Sequence, residues 1–208
     1  MYQTLELAVE NRAISMPARD GETLIVKGDT CDQTLYIRSG IARAVTYSHE
    51  GDRQVMAFFF PGDVIGLPLT ETHRYSVEAV SGLRFVRQSS EQFRMDFPVH
   101  DAEPGAMQQA IWREEKAFIA RGLILGRGCV RARFAAFLLY LARHCLGADG
   151  LLHFAIPQGD IASFLATSPE TVCRTLRKLR DEGVVTMHKR EWLQIVDTHR
   201  LNLIADGE

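Results

Sequence analysis

The sequence predicts an α+β chain in three consecutive parts: a β-rich N-terminal half, one long helix, and a helical C-terminal third that closes on two short strands. Between about residues 13 and 88, runs of β-branched and aromatic residues are broken by Gly40, Gly51, Gly62 and Gly82 at intervals of roughly ten residues, the spacing of an all-β sandwich or roll. Residues 104–125, opened by Pro104, then switch to helical periodicity. The segment "IPQGDIASFLATSPETVCRTLRKLRDEGVVTMHKREWLQIVD" reads as helix, tight turn, helix and two strands around "HKRE". The expected boundaries are 1–103 for the β part, 104–126 for the long helix and a Gly126–Gly128 hinge, and 127–208 for the C-terminal part.

Composition narrows the function classes. The 208 residues are 46% hydrophobic with a net charge of −2. The charge is uneven: residues 1–120 hold 12 basic against 17 acidic side chains, and residues 121–208 hold 12 against 9. Arg121, Arg127, Arg131, Arg133 and Arg143 have no acid among them, which points to a localised polyanion contact. Cys31, Cys129, Cys145 and Cys173 form no CxxC pair, against a zinc site or a disulfide framework. The N-terminus carries no basic segment leading into an apolar run, and no 18-residue apolar stretch occurs, so a cytoplasmic protein without a membrane span is expected.

The long helix carries two apolar stripes. Met107, Ile111, Phe118 and Leu125 make one, interrupted by Glu114 and Arg121; Trp112, Ile119 and Leu123 make the other. A helix apolar on two sides buries both. One stripe can cover the β part and the other meet a partner helix, with Met107, Ile111, Phe118 and Leu125 as the expected dimer residues. A single helix buried in one core fits the same periodicity. After "GRG", Val130, Phe134, Phe137, Leu138, Leu141 and Cys145 mark an amphipathic helix with Arg131, Arg133 and Arg143 outside.

The helix pair that follows has the layout of a helix-turn-helix. Ala162 is small where the second helix must cross, and Ile161, Leu165, Val172 and Leu176 would pack the two together. Ala166 stands in the turn where Gly is often preferred. Ser168 is the N-cap and Pro169 suits the first helical position. The strands after Gly183 would form a wing. On the second helix Glu170 and Arg174 share the end that enters a major groove: Arg forks onto guanine O6 and N7, and Glu accepts from cytosine N4. Ser168 and Thr171 can reach phosphates or bases, and Arg177, Lys178 and Lys189 phosphates. The competing reading of Glu170 and Arg174 is an i,i+4 ion pair on a solvated face. Cys173 lies among these residues near a helix start and Arg177, which makes it a redox candidate.

These residues resemble the Crp/Fnr transcription regulators. The "E-T-V-x-R" core of their recognition helix is present as Glu170, Thr171, Val172 and Arg174, and "GDRQVMAFFFPGDVIGL" is similar to the segment before their effector pocket. The resemblance covers nearly the whole chain and is nearest to the FixK-like branch. It implies a cyclic-nucleotide-binding-type β-roll, a homodimer zipped along residues 104–125, a two-fold-symmetric double-stranded DNA site with TTGA-like half-sites, and contact with RNA polymerase. Pro169 occupies a position that helps set the outer bases. Cyclic AMP is not expected as effector, because Asp63 replaces the family's Glu and Arg74 is followed by Tyr75–Ser76 instead of Ser–Ala. Only Cys31 precedes residue 129, which argues against a four-thiolate iron–sulphur cluster. No cofactor is predicted; haem stays open through His49, His73 and His100, as does control by redox state or expression level. A ligand-binding roll without a DNA role and a cupin-like enzyme are the alternative classes. The seven dispersed His and the missing His-x-His, nucleophile-elbow and phosphate-loop signatures speak against an enzyme.

Overall fold

The computed structural model describes residues 14–96, 105–189 and 191–208. Pro104 and His100 lie outside the described residues. Contacts divide the chain into two units, residues 1–118 and 119–208, so the division falls within the long helix.

The first unit is built on two long strands, β3 (Gln33–Tyr47) and β6 (Ser76–Ser89), paired antiparallel along most of their length. Four short strands complete the sheet: β1 (Met16–Pro17), β2 (Thr23–Ile25), β4 (Arg53–Phe59) and β5 (Val64–Ile65). β1 and β2 pair with β6, and β4 and β5 with β3. Register shifts around Ser39 to Ala42 let β3 bend with β6 into a roll. Gly40 makes that bend, with φ +79° and with a Cβ at this site only 2.4 Å from the Gly82 carbonyl. No other residue type fits.

Alternation along the strands sends Leu35, Ile37, Ala57, Phe59, Val77, Leu83 and Phe85 into one core. α1 (Ser90–Asp96) adds Phe93 to a second core with Tyr36, Val64, Leu67 and Val86. The long helix, α2 (Ala106–Leu125), closes both. Met107 is only 5% exposed in the Phe93 core, with Ile111 packed against its edge. Phe118 meets Phe59 edge-on at 6.1 Å and Tyr75 at 5.0 Å between ring centres.

The stripe expected at a dimer seam is therefore largely used within the chain's own roll. Met107 and Phe118 are spent there and Ile111 is partly covered, while Leu125 is half-buried at the helix end. Trp112, Ile119 and Leu123 remain open, at 42%, 50% and 68% exposure. Both stripes are apolar enough to be buried, and only tertiary packing decides which one the roll takes.

Asp63 closes the turn between β4 and β5, its Oδ2 accepting the Phe60 N–H at 2.8 Å. It does not stand free as an effector ligand. Burial pushes its carboxyl from 3.8 up to about 6, against the opposing pull of the Phe60 N–H and Arg113. The folded state thus binds a proton that the unfolded chain has already released, and stability from this group falls as pH rises from about 4 to 6. Asp63→Asn keeps the acceptor and removes the charge. It should stabilise the protein above pH 6 by about 1–3 kcal/mol and flatten that part of the pH profile, as read by urea melts at pH 4 and pH 7. An unchanged slope would refute the assignment.

The second unit begins with the last turns of α2. α3 (Val130–Cys145), capped by Cys129, buries Phe134, Phe137, Leu138 and Leu141. α4 (Gln158–Phe164), α5 (Pro169–Asp181) and α6 (Thr198–Asp206) complete the helical set. β8 (Val185–Lys189) and β9 (Trp192–Ile195) form the wing hairpin. A third strand, β7 (Leu152–His153), pairs with β9, and His153 packs its ring on Trp192 at 4.8 Å. Two residues carry too little periodicity for β7 to be read from sequence.

Candidate nucleic-acid interface

α4 and α5 meet through Ile161, Ala162, Leu165, Val172 and Leu179, all buried. Ala162, the small residue expected at the crossing, is buried at 2% exposure. Leu176 is only half-buried; Thr175 takes the inner position instead, satisfying its hydroxyl on the Thr171 carbonyl at 2.7 Å. The turn between the helices places Ala166 at φ +50°, the left-handed region. An L-residue there costs about 1–2 kcal/mol, and glycine none. Ala166→Gly should therefore stabilise the chain by up to about 1 kcal/mol after the entropy of the unfolded glycine is deducted, a rise of roughly 2–4 °C in Tm. A lower Tm would show that the turn is unstrained.

Ser168 caps α5, its Oγ accepting the Thr171 N–H at 3.3 Å and lying 3.2 Å from the Thr171 hydroxyl. The first turn's backbone N–H and the Ser168 hydroxyl hold the exposed Glu170 carboxyl below its usual range. An ionised carboxylate only accepts, which suits an amino group such as cytosine N4. Arg174 is exposed one turn further on, and the two form no ion pair; among the described residues Arg174, Arg177, Lys178 and Lys189 have no protein partner. The helix therefore presents one acceptor and a row of uncompensated cations. Lys189 lies at the tip of the wing.

Two sequence readings need correction in detail. Cys173 is half-buried and turned toward α4, where its Sγ–H donates to Oε1 of Gln158 at 2.7 Å, a partner with no sequence signal. The arginines of residues 121–143 are mostly spent inside the fold. Arg131 pairs with Glu182 at 2.5 Å and Arg127 with Asp206 at 2.7 Å, while Arg121 and Arg133 donate to backbone carbonyls. Arg143 alone of the five has no partner among the described residues. The basic bias of that segment records internal pairing more than a polyanion contact.

A roll closed by a helix and followed by a winged helix-turn-helix with an open basic reading face defines a DNA-binding transcription regulator. Residues 16–95 match the cyclic nucleotide-binding domain family and residues 132–204 the Crp-like helix-turn-helix domain family. The nitrogen fixation regulation protein FixK of Azorhizobium caulinodans is 32% identical over 186 residues, covering 84% of this chain and 73% of its own. Electron transport regulator A of Shewanella oneidensis is 29% identical, covering 91% and 77%. The structure of FixK2 from Bradyrhizobium japonicum superposes with a TM-score of 0.82 at 23% identity, over 93% of this chain and 97% of that one. The chain belongs to the Crp/Fnr family of transcription regulators, on its FixK-like side.

The roll's residues do not fit a cyclic nucleotide. Tyr75, Phe59 and Phe118 fill the space between the sheet and α2 with their rings. The Tyr75 hydroxyl donates to Glu114 Oε1 at 2.6 Å, and Arg74 already faces the same carboxylate at 3.7 Å. Burial holds the Glu114 carboxyl above its usual range, and the hydroxyl of Tyr75 well above its own. A phosphodiester here would meet a carboxylate where it needs donors. For haem, His49 is exposed and His73 lies 3.3 Å from the buried Cys31 sulfur. Among the described residues no three of His, Cys, Asp and Glu gather at one point, and no helix is long and apolar enough to cross a membrane.

Proposed function

We propose that this regulator acts in the cytoplasm as a homodimer on a two-fold-symmetric DNA site with TTGA-like half-sites, activating transcription through contact with RNA polymerase. The observation that carries the reading is the open Glu170–Arg174 pair at the start of α5, unpaired with each other and flanked by cations that have no partner among the described residues. Two such helices related by a two-fold axis fit successive major grooves roughly 34 Å apart. Arg174 and Glu170 read the G·C pair of the half-site; Ser168, Thr171, Arg177, Lys178 and Lys189 hold phosphates. Trp112, Ile119 and Leu123 supply the dimer seam. The regulator works without a nucleotide effector, a reading supported by the Tyr75–Glu114 hydrogen bond and by Arg74 facing the same carboxylate.

The test is a mobility shift on a TTGA palindrome against a scrambled duplex, with a salt titration and with cyclic AMP present and absent. A preference for the palindrome of at least roughly a thousandfold, unchanged by the nucleotide, is the expected result. Equal affinity for both duplexes would overturn the base-reading assignment, and a strict requirement for cyclic AMP the effector-free one.

A further inference from the structure

The first helix of the reading pair ends abruptly. Ala166 leaves the helical conformation; its N–H still reaches the Ser163 carbonyl at 3.4 Å, but among the described residues the Phe164 and Leu165 carbonyls receive no backbone donor. Two arginines from outside the pair supply donors instead. Arg121 Nε donates to the Phe164 carbonyl at 3.1 Å and its Nη2 to the Ser163 carbonyl at 3.5 Å. Its guanidinium also lies over the Phe164 ring, 6.0 Å from the centroid. Arg133 of α3 donates to the Leu165 carbonyl at 3.4 Å and, through Nε, to the Arg127 carbonyl at 3.2 Å. Arg121 is half-buried and desolvation lowers its pKa, so it is a structural cation and not one waiting for phosphate.

Arg121 differs from Arg133 in the element that carries it. It sits on α2 between Ile119 and Leu123, the open stripe of that helix. At 3.6 residues per turn it points about 200° round the helix from Ile119. One side of the last turns of α2 is thus apolar and open, and the opposite side grips the end of α4. The turn held there sets where α5 begins.

We infer that Arg121 is a positioning residue that fixes the direction of the reading helix to the dimer seam, so that two reading helices keep the spacing of one DNA turn. The inference rests on the homodimer proposed above. Within the second unit Arg121 ties the helix segment that carries Ile119 and Leu123 to the helix-turn-helix: its fork seizes two successive carbonyls, which a single ammonium cannot do.

The experiment compares the full chain with Arg121→Ala and Arg121→Lys. Each is measured on a single half-site, on the palindrome, and on palindromes with one base pair added to or removed from the spacer; sedimentation gives the oligomeric state. Wild type should be a dimer with a sharp spacer optimum. Arg121→Ala should remain a dimer and keep half-site affinity within about threefold, yet lose at least tenfold of the palindrome's advantage and flatten the spacer dependence. Arg121→Lys, which keeps stem and charge without the fork, should fall between, and it carries the test alone if Arg121→Ala melts early. Equal loss on half-site and palindrome in either variant would overturn the inference, leaving Arg121 as a residue needed only for folding of the helix pair. A monomeric wild type, or one without palindrome preference, would instead remove the dimer reading itself, and the inference with it.

Discussion

Arg174→Ala should lower affinity for the TTGA-bearing site by about 1–3 kcal/mol per half-site and relax the preference at its G·C pair. The side chain stands exposed on α5 and forms no ion pair among the described residues, so its removal leaves no buried group unsatisfied and the fold unharmed. The loss is then that of a bidentate contact to guanine, and it appears only on DNA that offers that guanine. Lys178→Ala makes the contrast. A phosphate contact weakens binding to all duplexes alike and reduces the salt slope by about one. Competition titrations on single-base variants of the half-site measure both. Equal loss for Arg174→Ala on specific and scrambled DNA would assign Arg174 to the backbone and leave Glu170 without its partner reader.

The reading helix was legible in the sequence because its determinants are local. Ser168 and Pro169 start α5, Ala162 permits the crossing, and the open cations follow at helical spacing, all within about twenty residues. The roll was legible for a related reason, since glycines at regular intervals mark its turns. What was not legible depends on partners far apart in sequence. Nothing near Met107 or Phe118 says that the roll, and not a second chain, covers them; the decision lies with Phe93 and with Phe59 and Tyr75. The arginines of 121–143 look free along the chain because their acceptors, the carbonyls of 163–165 and the carboxylates of Glu182 and Asp206, lie 32 to 79 positions away. Carbonyl acceptors leave no trace in composition at all. Cys173 likewise meets Gln158 only because α4 and α5 cross.

Ile119→Glu should convert the protein to monomers and abolish palindrome binding, while leaving the roll and the winged helix folded. Trp112, Ile119 and Leu123 are spaced by seven and four residues, which fits the d, d and a positions of a two-helix seam, with Lys116 at the intervening a position. A lysine there weakens the seam and favours one register over others. The seam's stability therefore rests on few side chains. Removing Ile119 from both copies costs about 3–6 kcal/mol, roughly two to four powers of ten in dimer affinity, before the repulsion of two facing carboxylates is added. Lys116→Leu should act in the opposite direction and tighten the dimer. Phe118→Ala tests the other stripe: its ring packs on Phe59 and Tyr75, so the expected loss is about 3–5 kcal/mol of unfolding free energy in the roll with the dimer constant little changed. Sedimentation equilibrium and urea melts separate the two effects. An unchanged dimer in Ile119→Glu together with a monomer in folded Phe118→Ala would reverse the stripe assignment, placing the seam on the face that the roll now covers.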